Sequence, residues 1–229
     1  MDTLSNVNTR RGGTKPPNAG LTSNVIPTTQ TPNSSKSSDA GVSSSYVQKE
    51  NHSWFVLRVT YNRVETEIDT LKAEMDVYLP KCYVIKQIAG KKQRVLQPLL
   101  PNLVFVYSTQ EAIEHLFKNN SKLSHFHFYR DHTRSVNPSD GYHCPVTIPF
   151  NEMMNFIRLT SIKNEHIQVV EPEKCHYKSG EKVRIINGDF AGVEGYVARV
   201  SGQQRVVVSI EGLCIVATAY IPGAFLEKV

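Results

Sequence analysis

The chain has 229 residues, a formal charge of +5 and a pI near 9.0, but its cations are spread thinly. Residues 1–52 hold five Lys/Arg against three Asp/Glu, residues 53–172 fourteen against twelve and residues 173–229 seven against six, so any nucleic-acid contact has to be a local patch. Four scattered cysteines without a C-x-x-C pair argue against a disulfide scaffold. The lack of an apolar run of roughly 18–20 residues argues against a membrane helix, and the N-terminus has no signal-peptide core, so a cytoplasmic protein is expected.

Residues 1–52 are rich in Ser, Thr, Asn, Pro and Gly, without period, and read as a disordered polar tail. Order begins at Trp54, where Trp54–Thr60 is aromatic and β-branched and predicts a buried strand. Asn62 stands three residues before Glu65 as a capping box. Behind it Val64, Ile68, Leu71 and Met75 mark one face of a helix. Val77–Ile88 and Arg94–Leu100 read as strands of a hairpin turning at Ala89-Gly-Lys-Lys92. After Pro101-Asn102 come a strand at Leu103–Tyr107, a helix at Gln110–Asn119 capped by Ser108 or Thr109, and a strand at Leu123–Tyr129. A polar turn follows at Asn137–Gly141, and Pro149 then opens a third helix with Met153, Met154, Phe156 and Ile157 inward. This order predicts an α+β fold with an N-terminal antiparallel sheet flanked by helices over residues 53–160.

Residues 161–176 read as a linker with a short extended piece at Ile167–Val170, and residues 177–229 as a small β-barrel of four or five short strands. The barrel opens on Gly180, Val183, Ile185, Gly188, Phe190, Gly192, Gly195 and Val197. Alternating β-branched residues flank glycines that allow positive φ or close approach. This spacing, G-x-x-V-x-I-x-x-G-x-F-x-G-x-x-G-x-V, resembles the KOW motif, which implies an SH3-like KOW barrel.

The Trp54-led domain followed by a linker and a KOW barrel resembles the NusG family of transcription elongation factors. Leu100-Pro-Asn-Leu-Val-Phe-Val106 is similar to the family's F-P-G-Y-V-x-V segment, and Asn102 stands where the general factor has Gly, as in RfaH-like paralogues. The long N-terminal extension is similar to the UpxY group, antiterminators linked to polysaccharide operons. The resemblance implies a monomer that binds the clamp helices of the largest RNA polymerase subunit, close to the DNA of the transcription bubble, and suppresses pausing or termination. It also implies a second partner, a ribosomal protein or other factor, at the barrel. One anchor for such partners is missing, because the turn that carries Phe in the general factor reads Ile210-Glu211-Gly212 here.

Trp54, Phe55, Leu100, Pro101, Leu103 and Phe105 are the candidate polymerase contacts, either an exposed apolar patch or ordinary core. The candidate nucleic-acid contacts are Arg63 and the hairpin residues Lys81, Lys86, Lys91, Lys92 and Arg94. No Asp or Glu occurs between Val77 and Gln110, although such a charge run is also what a solvated loop carries. His125-x-His127, His143-Cys144 and Cys175-His176 lack the spacing of a zinc site, and no P-loop or nucleophile–base arrangement occurs. A non-enzyme without cofactor is expected. The competing reading is a ribosome-associated or other RNA-binding KOW protein.

Overall fold

The computed structural model describes residues 46–60, 64–137, 142–162 and 165–229. Strand β1 (Ser53–Val59) is the spine of the N-terminal part. It pairs antiparallel along its length with β5 (Leu103–Ser108), which in turn pairs with the short β2 (Asp76–Tyr78). On its other edge β1 meets β6 (Phe126–Phe128) and then β9 (Thr147–Ile148). Successive residues of β1 point to opposite faces, and each face has its own core. Phe55, Leu57 and Val59, with Val104 and Val106, pack under helices α1 (Val64–Glu74) and α2 (Gln110–Asn119). Trp54 and Val56, with Phe105 and Tyr107, face helix α3 (Phe150–Thr160).

Local chemistry sets several boundaries. Thr109 Oγ1 accepts the Ala112 N–H at 3.2 Å and caps α2. The capping-box residue Asn62 lies outside the described residues. The strand expected at Leu123–Tyr129 is shorter, because Asn120 Oδ1 accepts the Lys122 N–H and draws Ser121–Leu123 into a 3-10 turn. Two strands were not anticipated, β7 (Arg130–Asn137) and β8 (Tyr142–Pro145), which form a hairpin of their own. Residues 46–52, expected to belong to the polar tail, contact the sheet instead. The Tyr46 ring meets Trp54 edge-on at 5.0 Å, and the Lys49 N–H donates to the Tyr107 hydroxyl at 2.8 Å, so residues 46–52 strap the sheet. Burial, helped by nearby Tyr78 and Asp76, pushes the Tyr46 phenol up to about 12.

The hairpin of β3 (Lys81–Ile88) and β4 (Lys91–Pro98) is a separate two-stranded ribbon. Its turn is tighter than expected. Ala89 (φ 49°) and Gly90 (φ 79°) alone make it, so Lys91 and Lys92 are the first residues of β4 and not the loop.

The C-terminal part is a six-stranded antiparallel sheet in the order β10-β14-β13-β12-β11-β15. Its strands are β10 (Gln168–Val170), β11 (His176–Ile185), β12 (Glu194–Val200), β13 (Gln203–Ile210), β14 (Cys214–Tyr220) and β15 (Leu226–Lys228). The expected linker is thus partly sheet, since β10 pairs with β14. One face, with Val183, Ile185, Val206, Val208 and Ile210, joins the same buried cluster as Trp54, Phe105 and α3.

Helix α3 sits between the two parts, buried on two sides. Phe150, Phe156 and Thr160 turn to the N-terminal sheet. Phe156 lies 5.3 Å from the Phe105 ring, Phe150 lies 5.6 Å from Tyr107, and Thr160 Oγ1 shares a hydrogen bond with the Tyr78 hydroxyl at 2.7 Å. Asn155, Arg158 and the fully buried Leu159 fall on the opposite side at 100° per residue. There Arg158 Nη1 donates to the Gly192 carbonyl at 2.7 Å, and Asn155 Oδ1 accepts the Glu194 N–H at 3.4 Å. Burial on two sides explains why the helix is more apolar than a one-sided amphipathic stripe needs.

Candidate functional site

The six apolar candidates do not form one exposed patch. Trp54 and Phe105 are completely buried, and they share a face because Val56 stands opposite Phe105 and Trp54 opposite Tyr107. Phe55, one residue along β1, points to the other core, where its ring lies 5.6 Å from Phe128. Leu100 is also buried, in the cluster that continues into the C-terminal sheet. What reaches the surface is the bend itself, where Pro101 is exposed and Leu103 half-buried. Asn102 makes that bend with φ 61°, and its carbonyl accepts the Val59 N–H at 2.8 Å. Asn is among the few residues that adopt this left-handed conformation at modest cost, which accounts for an Asn where the resembled segment has Gly.

The ribbon register sorts the basic candidates. Lys81, Lys92 and Arg94 lie on one face with Tyr83, Ile85 and Leu96, and Lys86 and Lys91 on the other with Val84 and Ile88. Arg94 is committed locally. Its guanidinium lies 3.9 Å over the Tyr83 ring and its Nε is 3.0 Å from Glu165, so it braces the ribbon against the segment after α3. Lys86, Lys91 and Lys92 are exposed, flanked by exposed Ile85, Ile88 and Leu96. Nothing in the sequence marks those apolar residues out from ordinary strand residues, and only their exposure in the fold sets them apart. Arg63 lies outside the described residues.

The glycines of the C-terminal motif do different work. Gly188 and Gly192 both hold φ 84°, and Phe190 between them is buried. Gly195 needs closeness instead, since a Cβ there would lie 2.3 Å from the Val207 carbonyl oxygen. Gly180 has neither constraint, with open space around its Cα. Val183, Ile185 and Val197 are buried as the alternation predicted. Lys182 and Arg184 flank one carboxylate, Glu194, at 2.8 and 2.6 Å, and their hydrogen bonds hold its pKa below the ordinary value.

The turn at Ile210–Gly212, where Gly212 has φ 72°, closes one side of a groove of about 730 Å³. Glu211 and Gly212 face Tyr129, Arg130, Cys144, Pro145 and Glu152 across it. Glu211 therefore borders the N-terminal part. Among the described residues no group of three or more His, Cys, Asp and Glu could hold a metal ion, and no helix is long and apolar enough to cross a membrane.

Residues 52–157 match the protein family described as "Transcription termination factor nusG". The match spans the N-terminal sheet from just before β1 into α3, and it supports a NusG-like transcription factor. A search among curated proteins finds no match for the chain.

Proposed function

We propose that the protein is a transcription elongation or antitermination factor that binds the clamp helices of RNA polymerase and nearby DNA. The observation that carries this reading is the family match over residues 52–157, which contains the bend at Leu100–Leu103 and the whole basic ribbon. Pro101 and Leu103 supply the exposed part of the polymerase contact. The ribbon, with Lys86, Lys91 and Lys92 exposed and no carboxylate between Val77 and Gln110, supplies the contact with the DNA backbone. The mechanism is binding alone: a factor that prefers the closed clamp shifts the polymerase away from the open state of pausing and termination. A partner that reaches Leu100 and Phe105 has to part them from a cluster that runs into the C-terminal sheet, so polymerase binding and the seating of that sheet on α3 are coupled.

A single-round transcription assay with core polymerase tests the reading. Longer transcripts are expected with the wild type, and weaker retention on a paused complex with Lys91→Glu/Lys92→Glu. Failure to co-purify with polymerase overturns the proposal, and co-sedimentation with ribosomes alone favours an RNA-binding role. Unchanged retention of the double variant removes the ribbon from it.

A further inference from the structure

The face of the C-terminal sheet turned away from α3 has a small buried cluster of its own, with Ala198, Val200, Val207 and Ala217, and beside it carries three exposed tyrosines: Tyr177 at 49%, Tyr196 at 38% and Tyr220 at 57%. They come from β11, β12 and β14, and the register brings them together. Tyr177 stands opposite Ala198, Ala198 opposite Arg205, and Arg205 opposite Tyr220. Directly paired residues share a face of a sheet. Tyr196, two residues from Ala198 on β12, points the same way, and its ring meets that of Tyr177 edge-on at 6.3 Å and 83°. At the usual spacing between strands, the row from Tyr177 to Tyr220 is roughly 14 Å long.

Arg205 lies within this row. Its Nη1 donates to the carbonyls of His166 at 3.1 Å and Thr218 at 2.7 Å, and its Nη2 donates to Gln203 Oε1 at 3.0 Å. All three acceptors are neutral, so the guanidinium is held in place while its charge has no carboxylate partner among the described residues. Lys182, directly opposite Tyr196, and Arg184 share the carboxylate of Glu194. Glu227 on β15 also stands opposite Arg184, so the paired positions of this face present three cations, Lys182, Arg184 and Arg205, against two carboxylates, interleaved with rings.

We propose that this face binds single-stranded nucleic acid, with bases stacked on Tyr177, Tyr196 and Tyr220 and phosphates drawn to Arg205 and Lys182. Aromatic rings alternating with cations on a sheet suit unstacked bases, whose π-faces are accessible only in a single strand. A duplex hides those faces and offers grooves that a flat row of tyrosines does not enter. The site is separate from the ribbon and does not depend on the polymerase reading.

The test uses the full chain carrying Lys91→Glu/Lys92→Glu, so that the ribbon does not contribute. Fluorescence anisotropy is measured with labelled oligo-U and oligo-dT of about 12 nucleotides, within the site sizes known for small β-modules, and with a duplex of the same length. Both single strands are expected to bind more tightly than the duplex, and binding should weaken as salt rises. Tyr177→Ala and Tyr220→Ala should each weaken binding by about 5- to 100-fold, while the Phe variants, which keep the ring, should stay near the parent. A preference between U and dT supports the proposal and indicates which strand is the natural one. Unchanged affinity in the Ala variants, equal binding of duplex, or binding only when Lys91 and Lys92 are present overturns it. Circular dichroism controls for folding. If Tyr177→Ala unfolds, Tyr220→Ala, at the most exposed of the three positions, carries the test.

Discussion

Arg158 Nη1 donates to the carbonyl of Gly192 at 2.7 Å, across the contact between α3 and the C-terminal sheet. A Cβ on Gly192 would lie 3.5 Å from Arg158 Cδ, an ordinary contact, so what calls for glycine there is its φ of 84° and not the space beside the arginine stem. The same guanidinium reaches Asn155 Oδ1 at 3.3 Å, and that oxygen accepts the Glu194 N–H, which makes a small network between the two parts.

Removing that donor should loosen the contact. Arg158→Ala leaves a partly buried carbonyl without its partner, at a cost of about 1–3 kcal/mol. Arg158→Lys should recover only part of this, because an ammonium lacks the planar fork that serves two acceptors. The midpoint of denaturant unfolding measures the loss, and faster hydrogen exchange at residues 187–195 would locate it. A midpoint equal to wild type would show that the bond contributes nothing.

The motif glycines should differ sharply in tolerance. Gly180→Ala meets open space and should change stability by less than about 0.5 kcal/mol. Gly188→Ala and Gly192→Ala force a left-handed alanine and should each cost about 1–2 kcal/mol. Gly195→Ala drives a methyl into the Val207 carbonyl and should cost most, about 3 kcal/mol or more, or prevent folding. Melting temperatures of the four variants give the ranking, and equal values would refute it.

Glu194 should make stability depend on acid. Its carboxyl is held below the usual carboxylate range, first by the hydrogen bond from Lys182 and then by that from Arg184. A pKa lowered on folding contributes stability above the unfolded value, and that contribution is lost as pH falls through the folded value. Wild type should therefore lose stability more steeply than Glu194→Gln between neutral pH and the acid range, by up to about 1 kcal/mol, with the two curves meeting at the acid end. Parallel curves would count against the network.

Ala89 is a poor residue for its place. Both residues of the ribbon turn need positive φ, and alanine at φ 49° pays for the crowding of its Cβ. Ala89→Asn should stabilise the ribbon by roughly 0.5–1 kcal/mol, seen as slower hydrogen exchange along β3 and β4. Faster exchange would mean that the turn changes type.

Alternating β-branched residues at Val183–Ile185 and apolar spacing at Ile68 and Leu71 are one-dimensional signals, and the strands and helices they predicted are where the chain places them. The Asn102 bend was visible as Pro-Asn between two apolar runs, and the close approach at Gly195 as a glycine within a strand pattern. What an element packs against leaves no such trace. Trp54, Leu100 and Phe105 have the composition of a docking patch and of a core alike, and only the layer laid over them decides between the two. The same holds for α3, whose apolar excess could not name its second neighbour until the C-terminal sheet closed on Arg158. It holds again for Tyr177, Tyr196 and Tyr220, which lie 19 and 24 residues apart along the chain and meet only through the register of β11 to β14. Local sequence determined the elements, because strand and helix periods act over a few residues. Tertiary structure alone decided which faces were covered and which were left to partners, because burial depends on residues far away in the chain.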